Sequence, residues 1–100
     1  MKRRLLLGAL GMALAATAMA RTAQDRYDAA RDDYEVGHFA QAFAVFAELA
    51  DAGHCEAARM AHQMARYGRA LYAIDFGAAP ERITRWQGLP GCGAAGPGPR

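Results

Sequence analysis

The sequence GHFAQAFAVFAELADAG at residues 37–53, followed by HCEAARMAHQMARYG at residues 54–68, contains two consecutive helical patterns, each closed by a glycine. Within each pattern the apolar residues recur at intervals of three and four, which places them on one side of a helix. In the first pattern they are Phe39, Ala42, Phe43, Phe46, Leu49 and Ala50. In the second they are Ala57, Met60, Ala61, Met64 and Ala65. The stretch therefore predicts two amphipathic helices joined by a short turn.

Three glycines mark the predicted ends of helices in this region. Gly37, Gly53 and Gly68 each follow a helical pattern, and glycine adopts the left-handed conformation of a helix C-terminal cap without a Cβ clash. Because a single residue separates Gly37 from the first pattern, a helix that precedes this glycine must fold back antiparallel to the next one. We therefore predict a tight antiparallel hairpin over residues 23–52.

The first helix of that hairpin is predicted at residues 23–36. Tyr27, Ala30 and Tyr34 form its inner stripe, and Thr22 is a suitable N-cap because its hydroxyl can accept a hydrogen bond from a free backbone N–H of the first turn. We interpret the phenylalanine stripe of the second helix as core, with a ligand pocket as the alternative.

A fourth helix is predicted after a long loop at residues 68–79, in which a short helical turn is possible. Pro80 suits the first position of a helix, and the apolar side of this helix is supplied by Ile83, Trp86 and Leu89. An offset of 40 residues pairs Gly37 with Gly77, Phe43 with Ile83, Phe46 with Trp86 and Leu49 with Leu89. The chain is thus predicted to be all-α, with two antiparallel helical hairpins at residues 22–90, the second a degenerate copy of the first.

The spacing of the glycines and small residues resembles the Sel-like repeat, a variant of the tetratricopeptide (TPR) helical hairpin. The residues that carry the resemblance are Tyr34, Gly37, Phe39, Ala42, Phe46, Leu49, Ala50, Gly53, Ala57, Ala61, Met64 and Gly68. The resemblance covers residues 27–68. It implies a fragment of an α-α superhelix that serves as a protein-binding scaffold, and it supplies no catalytic residues.

Residues 1–20 have the three parts of a secretory signal peptide. Basic residues at positions 2–4 precede an apolar run at residues 5–16, and Ala18-Met19-Ala20 matches a small-residue cleavage motif. The apolar run is shorter than the roughly 20 residues that span a bilayer. We predict cleavage after Ala20 and export to the periplasm of a Gram-negative bacterium. The chain is then expected to contact the membrane only during export, through the signal peptide. An uncleaved membrane anchor is the alternative.

The charge of the chain is uneven. The net charge of +2 includes the three basic residues of the predicted signal peptide, so residues 21–100 carry nine basic and ten acidic side chains. This balance does not support nucleic-acid binding, which needs a clustered basic face. Residues 21–53 contain three Arg and seven acids, whereas residues 54–100 contain six Arg and three acids. We expect solvated helix faces, or attraction between the halves of one chain or of two copies.

The residues most capable of chemistry are His38, His54 and His62, together with Cys55. His54 and His62 lie about two helical turns apart, whereas two ligands of one metal on a helix are usually four residues apart. We interpret these histidines as capping and surface residues. The chain has no Gly-rich phosphate loop after a strand and no Gly-x-Ser-x-Gly motif. We therefore predict neither an enzyme nor a cofactor.

The two cysteines, Cys55 and Cys92, form a possible disulfide, because the predicted export takes the chain to an oxidising compartment. Cys55 lies at the start of the third helix and Cys92 just beyond the fourth, and the start of one helix lies near the end of its antiparallel partner. Two free thiols are the alternative. Residues 91–100 contain four Gly and two Pro, which predicts a disordered tail.

These features favour a small exported helical-repeat protein that acts as a non-catalytic protein–protein interaction module, with a protein or peptide as partner. Two alternatives stay open at this point. One is a small exported ligand- or metal-binding protein that uses the region of His54, Cys55 and His62. The other is a degenerate repeat fragment that is stable only by self-association, since helical arrays usually need at least three repeats to close their core.

Overall fold

The computed structural model describes residues 22–92, and all of its regular elements are helical. The elements are α1 (22–35), α2 (Phe39–Asp51), α3 (Cys55–Tyr67), a π-helical turn (Gly68–Tyr72) and α4 (Pro80–Gln87). The predicted all-α fold is confirmed. None of the helices within 22–92 combines the length and apolar character of a membrane span. The predicted signal peptide, and residues 93–100 of the predicted tail, lie outside the described residues.

The first hairpin consists of α1 and α2, packed antiparallel. Beside the turn, the rings of Tyr34 and Phe39 lie 5.3 Å apart in an edge-to-face contact. Farther from the turn, the Tyr27 ring lies 5.5 Å from the Phe46 ring. Gly37 makes the turn with a φ of +89°, a conformation that side chains disfavour. The predicted hairpin and its glycine turn are confirmed.

A second tight turn leads from α2 into α3. His54 is the N-cap of α3, and its Nδ1 atom accepts a hydrogen bond from the backbone N–H of Ala57 at 3.1 Å. The same imidazole stacks on the Tyr27 ring, with 4.9 Å between ring centroids. The predicted capping role of His54 is therefore confirmed. Because α2 is antiparallel to both of its neighbours, α1 and α3 run in the same direction and end at the same end of the molecule.

The prediction that Gly68 stops α3 in a left-handed conformation is wrong. Gly68 is right-handed, with φ −45° and ψ −59°, and the helix continues through the π-helical turn to Tyr72. The left-handed residue is Ala73, with a φ of +59°. Glycine is needed at position 68 for another reason: a Cβ there would overlap the carbonyl oxygen of Ile74, whose N–H donates to the Gly68 carbonyl at 3.2 Å. The glycine permits a close approach of the returning chain.

The second hairpin is less regular than the first, as predicted. Residues 74–79 run without helical structure before Pro80 begins α4 at the first helical position. The predicted disulfide between Cys55 and Cys92 is present and joins the start of α3 to the segment after α4. A covalent bond thus holds the segment after α4 against the start of α3.

The core lies between the two hairpins. Its buried members are Tyr27, Ala30, Ala42, Phe43, Phe46, Ala47, Leu49, Ala50, Ala57, Ala58, Ala61, Met64, Tyr72 and Trp86. The remaining side chains of the predicted apolar stripes are half-buried and pack against this cluster: Tyr34, Phe39, Met60, Ala65, Ile83 and Leu89. Phe46 and Met64 are the largest fully buried side chains. Every side chain predicted from the apolar stripes therefore contributes to the core, whereas Ala47, Ala58 and Tyr72 were not predicted.

Candidate functional site

The candidate site is a surface between the parallel helices α1 and α3, which we call the α1–α3 face. It is defined by four exposed charged residues: Asp28 and Arg31 on α1, and Glu56 and Arg59 on α3. Burial raises the pKa of Tyr27, the carboxylates of Glu56 and Asp28 raise it as well, and the guanidinium groups of Arg31 and Arg59 oppose them. Two charges of each sign thus lie near the Tyr27 ring, which is buried in the core.

Aromatic packing anchors the Tyr27 ring beneath the α1–α3 face. The Tyr27 ring is clamped between Phe46 of α2 and the capping imidazole of His54. Since Tyr27 lies between Arg26 and Asp28 in sequence, its position fixes the part of α1 that carries the exposed charges. The backbone that carries Asp28 and Arg31 is therefore anchored to the core beside the start of α3.

A chain of hydrogen bonds joins the ends of α1 and α3. The Nε2 amide of Gln63 donates to the Tyr72 hydroxyl at 2.9 Å, and the hydroxyls of Tyr72 and Tyr34 lie 2.7 Å apart. Burial, and then the hydrogen bond to Tyr72, raise the pKa of Tyr34 to about 12. The Tyr34 phenol therefore stays protonated at neutral pH and is not a general base there. We interpret this chain as a structural link between the two parallel helices.

The phenylalanine stripe of α2 packs against other rings. Phe43 stacks on Phe76 with 4.7 Å between ring centroids, and Phe39 meets Tyr72 edge to face at 4.9 Å. Phe43 also lies 6.2 Å from Trp86 of α4. Phe46, the third ring of the stripe, is fully buried and packs against Tyr27 and Tyr34 of α1. The core interpretation of the stripe is therefore confirmed.

An ion-pair cluster at Asp51 joins the acidic half of the chain to the basic half. The Asp51 carboxylate accepts hydrogen bonds from Arg82 Nη2 at 2.6 Å and from Trp86 Nε1 at 2.9 Å. Arg85 Nη2 lies 3.9 Å away. The hydrogen bond from Arg82 is the main reason why the pKa of Asp51 lies below its ordinary value, and burial opposes it. The two halves of the chain therefore attract each other directly, one of the outcomes expected from the charge distribution.

The Asp51 cluster leads to a prediction for stability. In Asp51→Ala the buried Trp86 N–H loses its acceptor, and we expect the free energy of unfolding to fall by about 1 to 2 kcal/mol, a value kept small by the exposure of the ion pair. Asp51→Asn keeps a carbonyl acceptor for Trp86 and should lose less. Urea denaturation of the two variants and the wild type measures both losses. Equal losses would contradict a role for the Trp86 hydrogen bond.

The same cluster predicts a pH dependence. The folded protein favours the ionised form of Asp51, because the pKa of this carboxyl is lowered from 3.8. Its stabilising contribution is complete above pH 3.8 and is lost as the pH falls further, when the carboxylate takes up a proton in the folded state. The difference in urea midpoint between wild type and Asp51→Asn should therefore shrink as the pH is lowered below 3.8. A constant difference across this range would contradict the ion pair.

The candidate metal ligands are each engaged elsewhere. Cys55 is in the disulfide and His54 caps α3. The Nε2 atom of His62 lies 3.1 Å from the Gln87 amide, and His38 Nδ1 lies 3.6 Å from an Asp33 oxygen. Among residues 22–92 no group of three or more His, Cys, Asp and Glu side chains could hold a metal ion. The structure does not bring these residues together into a site.

Comparisons with protein-family models, with curated proteins and with solved structures find no match to this chain. The α1–α3 face is the feature that sequence reasoning missed. Its residues alternate with core residues along two separate helices, and only the packing of α1 beside α3 brings them together.

Proposed function

We propose that this protein is a small exported helical-repeat protein that acts as a non-catalytic protein–protein interaction module. The observation that carries the proposal is the α1–α3 face, where exposed charges of both signs from two parallel helices lie near the buried Tyr27. Arginine is enriched among residues that dominate binding energy, and opposite charges arranged on a rigid surface select a partner with the complementary arrangement. The partner is a protein or peptide segment that carries charges of both signs.

The proposed relation to the Sel-like and TPR families is supported by the similarity of the two hairpins. Gly37 and Gly77 occupy equivalent positions, and both have positive φ, +89° and +74°. Phe46 and Trp86, also equivalent, are both buried in the shared core. The first helix of each hairpin contributes to the α1–α3 face. A duplicated hairpin with one composite face is the architecture expected of a repeat scaffold.

The proposed export is supported by the disulfide between Cys55 and Cys92. Disulfides persist in oxidising compartments such as the bacterial periplasm and are rare in the reducing cytosol. This agrees with the signal peptide predicted at residues 1–20 and with a periplasmic location. A mature N-terminus at Arg21 belongs to the same proposal.

The proposal predicts that neutralising the arginines of the α1–α3 face weakens partner binding. We expect Arg31→Gln and Arg59→Gln each to raise the Kd for the partner by about tenfold, because each removes a charged contact at the centre of the face. Ala44→Glu is the matched control, since it also lowers the net charge by one but lies on the exposed side of α2. The partner is isolated with the wild-type protein from the exported fraction, and its Kd is then measured for each variant.

Circular dichroism and urea midpoints establish that the variants fold. A Kd that is unchanged in both arginine variants, or raised equally by Ala44→Glu, would contradict the α1–α3 face as the binding site. Failure of the wild-type protein to retain any protein from the exported fraction would contradict the function itself.

A further inference from the structure

Three large apolar side chains are exposed in the part of the chain that the structure describes, and all three lie at one end of the molecule. Val36 is 68% exposed, Leu71 63% and Tyr67 42%. Val36 follows α1, Tyr67 is the last residue of α3, and Leu71 lies in the π-helical turn that extends α3. Because α1 and α3 are parallel, these positions share an end, which we call the apolar end.

A contact across the core links the two segments that carry the apolar end. The hydroxyls of Tyr34 and Tyr72 are 2.7 Å apart. Val36 lies two residues after the first of these tyrosines, and Leu71 immediately before the second. An apolar patch on an otherwise polar surface commonly marks a protein interaction site.

The charges around the apolar end have opposite signs on its two sides. The end of α1 carries Asp32, Asp33 and Glu35, whereas the end of α3 and the π-helical turn carry Arg66 and Arg69. A surface cleft of about 360 Å³ opens beside these two arginines. The apolar end therefore has an acidic side with a projecting valine and a basic side with a cleft.

The charges nearest the patch are weakly engaged within the chain. Glu35 pairs with Arg31 at 3.8 Å, and its side chain is 64% exposed. Arg69 pairs with Asp75 at 3.8 Å, and its side chain is 83% exposed. Exposed ion pairs at such distances contribute little to stability. Both side chains can therefore exchange these contacts for a closer partner at low cost.

We propose that the apolar end binds the apolar end of a second copy of this chain, forming a two-fold symmetric dimer. A two-fold axis places the acidic end of α1 in each copy against the basic end of α3 in the other, so that Glu35 meets Arg69 twice. Val36 and Leu71, the two most exposed apolar side chains, then lie within the contact and are removed from water. Because both halves of the contact lie at one end of the molecule, the association closes after two copies.

This inference does not rest on the proposed function. The α1–α3 face includes Glu56 in the first turn of α3, whereas the apolar end includes Tyr67, the last residue of that helix. The dimer therefore leaves the face free to bind its partner. Because Arg31 of the face pairs with Glu35, the two proposals are separated by Arg59→Gln on the face and Leu71→Ser at the apolar end, neither of which alters that ion pair.

Sedimentation of the purified protein between about 1 µM and 1 mM tests the proposal. The small size of the patch predicts a reversible dimer with a Kd of about 10 to 100 µM. Leu71→Ser should raise this Kd at least about tenfold, whereas Ala44→Ser, on the exposed side of α2, should leave it unchanged. Circular dichroism establishes that both variants are folded.

Charge reversal provides a second test that does not depend on the apolar residues. Glu35→Arg and Arg69→Glu should each raise the dimer Kd about fivefold or more, because each places like charges across the contact. The double variant restores opposite charges and should return to within about twofold of the wild-type Kd.

Four results would overturn the proposal. They are a wild-type protein that stays monomeric at the highest concentration, a Leu71→Ser variant with wild-type Kd, a double charge variant weaker than both single variants, and association that continues beyond two copies. The proposal would also be wrong if the protein were monomeric and used Leu71 to bind a different protein.

Discussion

Replacing both cysteines, as Cys55→Ser with Cys92→Ser, is expected to lower the free energy of unfolding by about 4 kcal/mol. The disulfide links residues 37 positions apart and so removes many conformations from the unfolded chain. The loss is large relative to the total of about 5 to 15 kcal/mol typical of a folded domain. Urea denaturation under oxidising conditions, followed by circular dichroism, measures it.

The wild-type protein in the presence of a reducing agent provides the control for this experiment. Reduction breaks the same bond without changing the sequence, so reduced wild type should unfold at nearly the urea midpoint of the double serine variant. The double variant itself should be insensitive to the reducing agent. A double variant as stable as the oxidised wild type would contradict a stabilising role for the disulfide.

The location of the disulfide indicates which part of the fold depends on it most. α4 has eight residues, and a helix of this length is not stable by itself in water. It is held by the burial of Trp86, by the ion pair between Arg82 and Asp51, and by the disulfide beyond its C-terminal end. Without the disulfide, α4 is expected to separate from the core before the first hairpin unfolds.

The first hairpin could be predicted from the sequence because its signals are local. The apolar spacing from Phe39 to Ala50 defines a helix and its buried side, and Gly37 supplies the conformation that the turn requires. The disulfide followed from the same topology, since an antiparallel hairpin brings the start of α3 close to the end of α4. Each of these inferences needed only neighbouring residues or the order of the helices.

The errors concern residues whose role depends on how the chain folds back on itself rather than on helical periodicity. Gly68 has the spacing of a helix cap, but its role is set by the approach of the Ile74 carbonyl. Tyr72 lies in a segment without clean periodicity, and its burial results from contacts with Tyr34 and Phe39 of the first hairpin. Such contacts have no local signature in a single sequence.

The surfaces proposed for function were also beyond prediction from the sequence. The charge asymmetry indicated attraction between the halves but did not identify Asp51, which is 31 residues from Arg82. The α1–α3 face requires knowledge that α1 packs beside α3. A solvated charge and a charge within a recognition surface have the same sequence pattern, and only the arrangement of helices distinguishes them.

Replacing the central core phenylalanine, as Phe46→Ala, is expected to lower the free energy of unfolding by about 3 to 5 kcal/mol, the usual cost of removing a buried ring. The Phe46 side chain is fully buried and contacts the rings of both Tyr27 and Tyr34. Phe43→Ala should have a comparable effect, because its ring stacks on Phe76. Thermal melts and urea denaturation measure the losses, and in so small a domain either change should leave much of the protein unfolded at 37 °C.

The matched control is Phe46→Leu, which keeps most of the apolar volume and should cost less than about 1.5 kcal/mol. A large difference between Phe46→Ala and Phe46→Leu identifies the loss with the cavity rather than with the aromatic contacts to Tyr27. Similar losses in the two variants would assign the stabilisation to the ring contacts instead. If Phe46→Ala melted like the wild type, Phe46 would not be buried between the hairpins, and the packing that places α1 beside α3, on which both proposed surfaces depend, would be wrong.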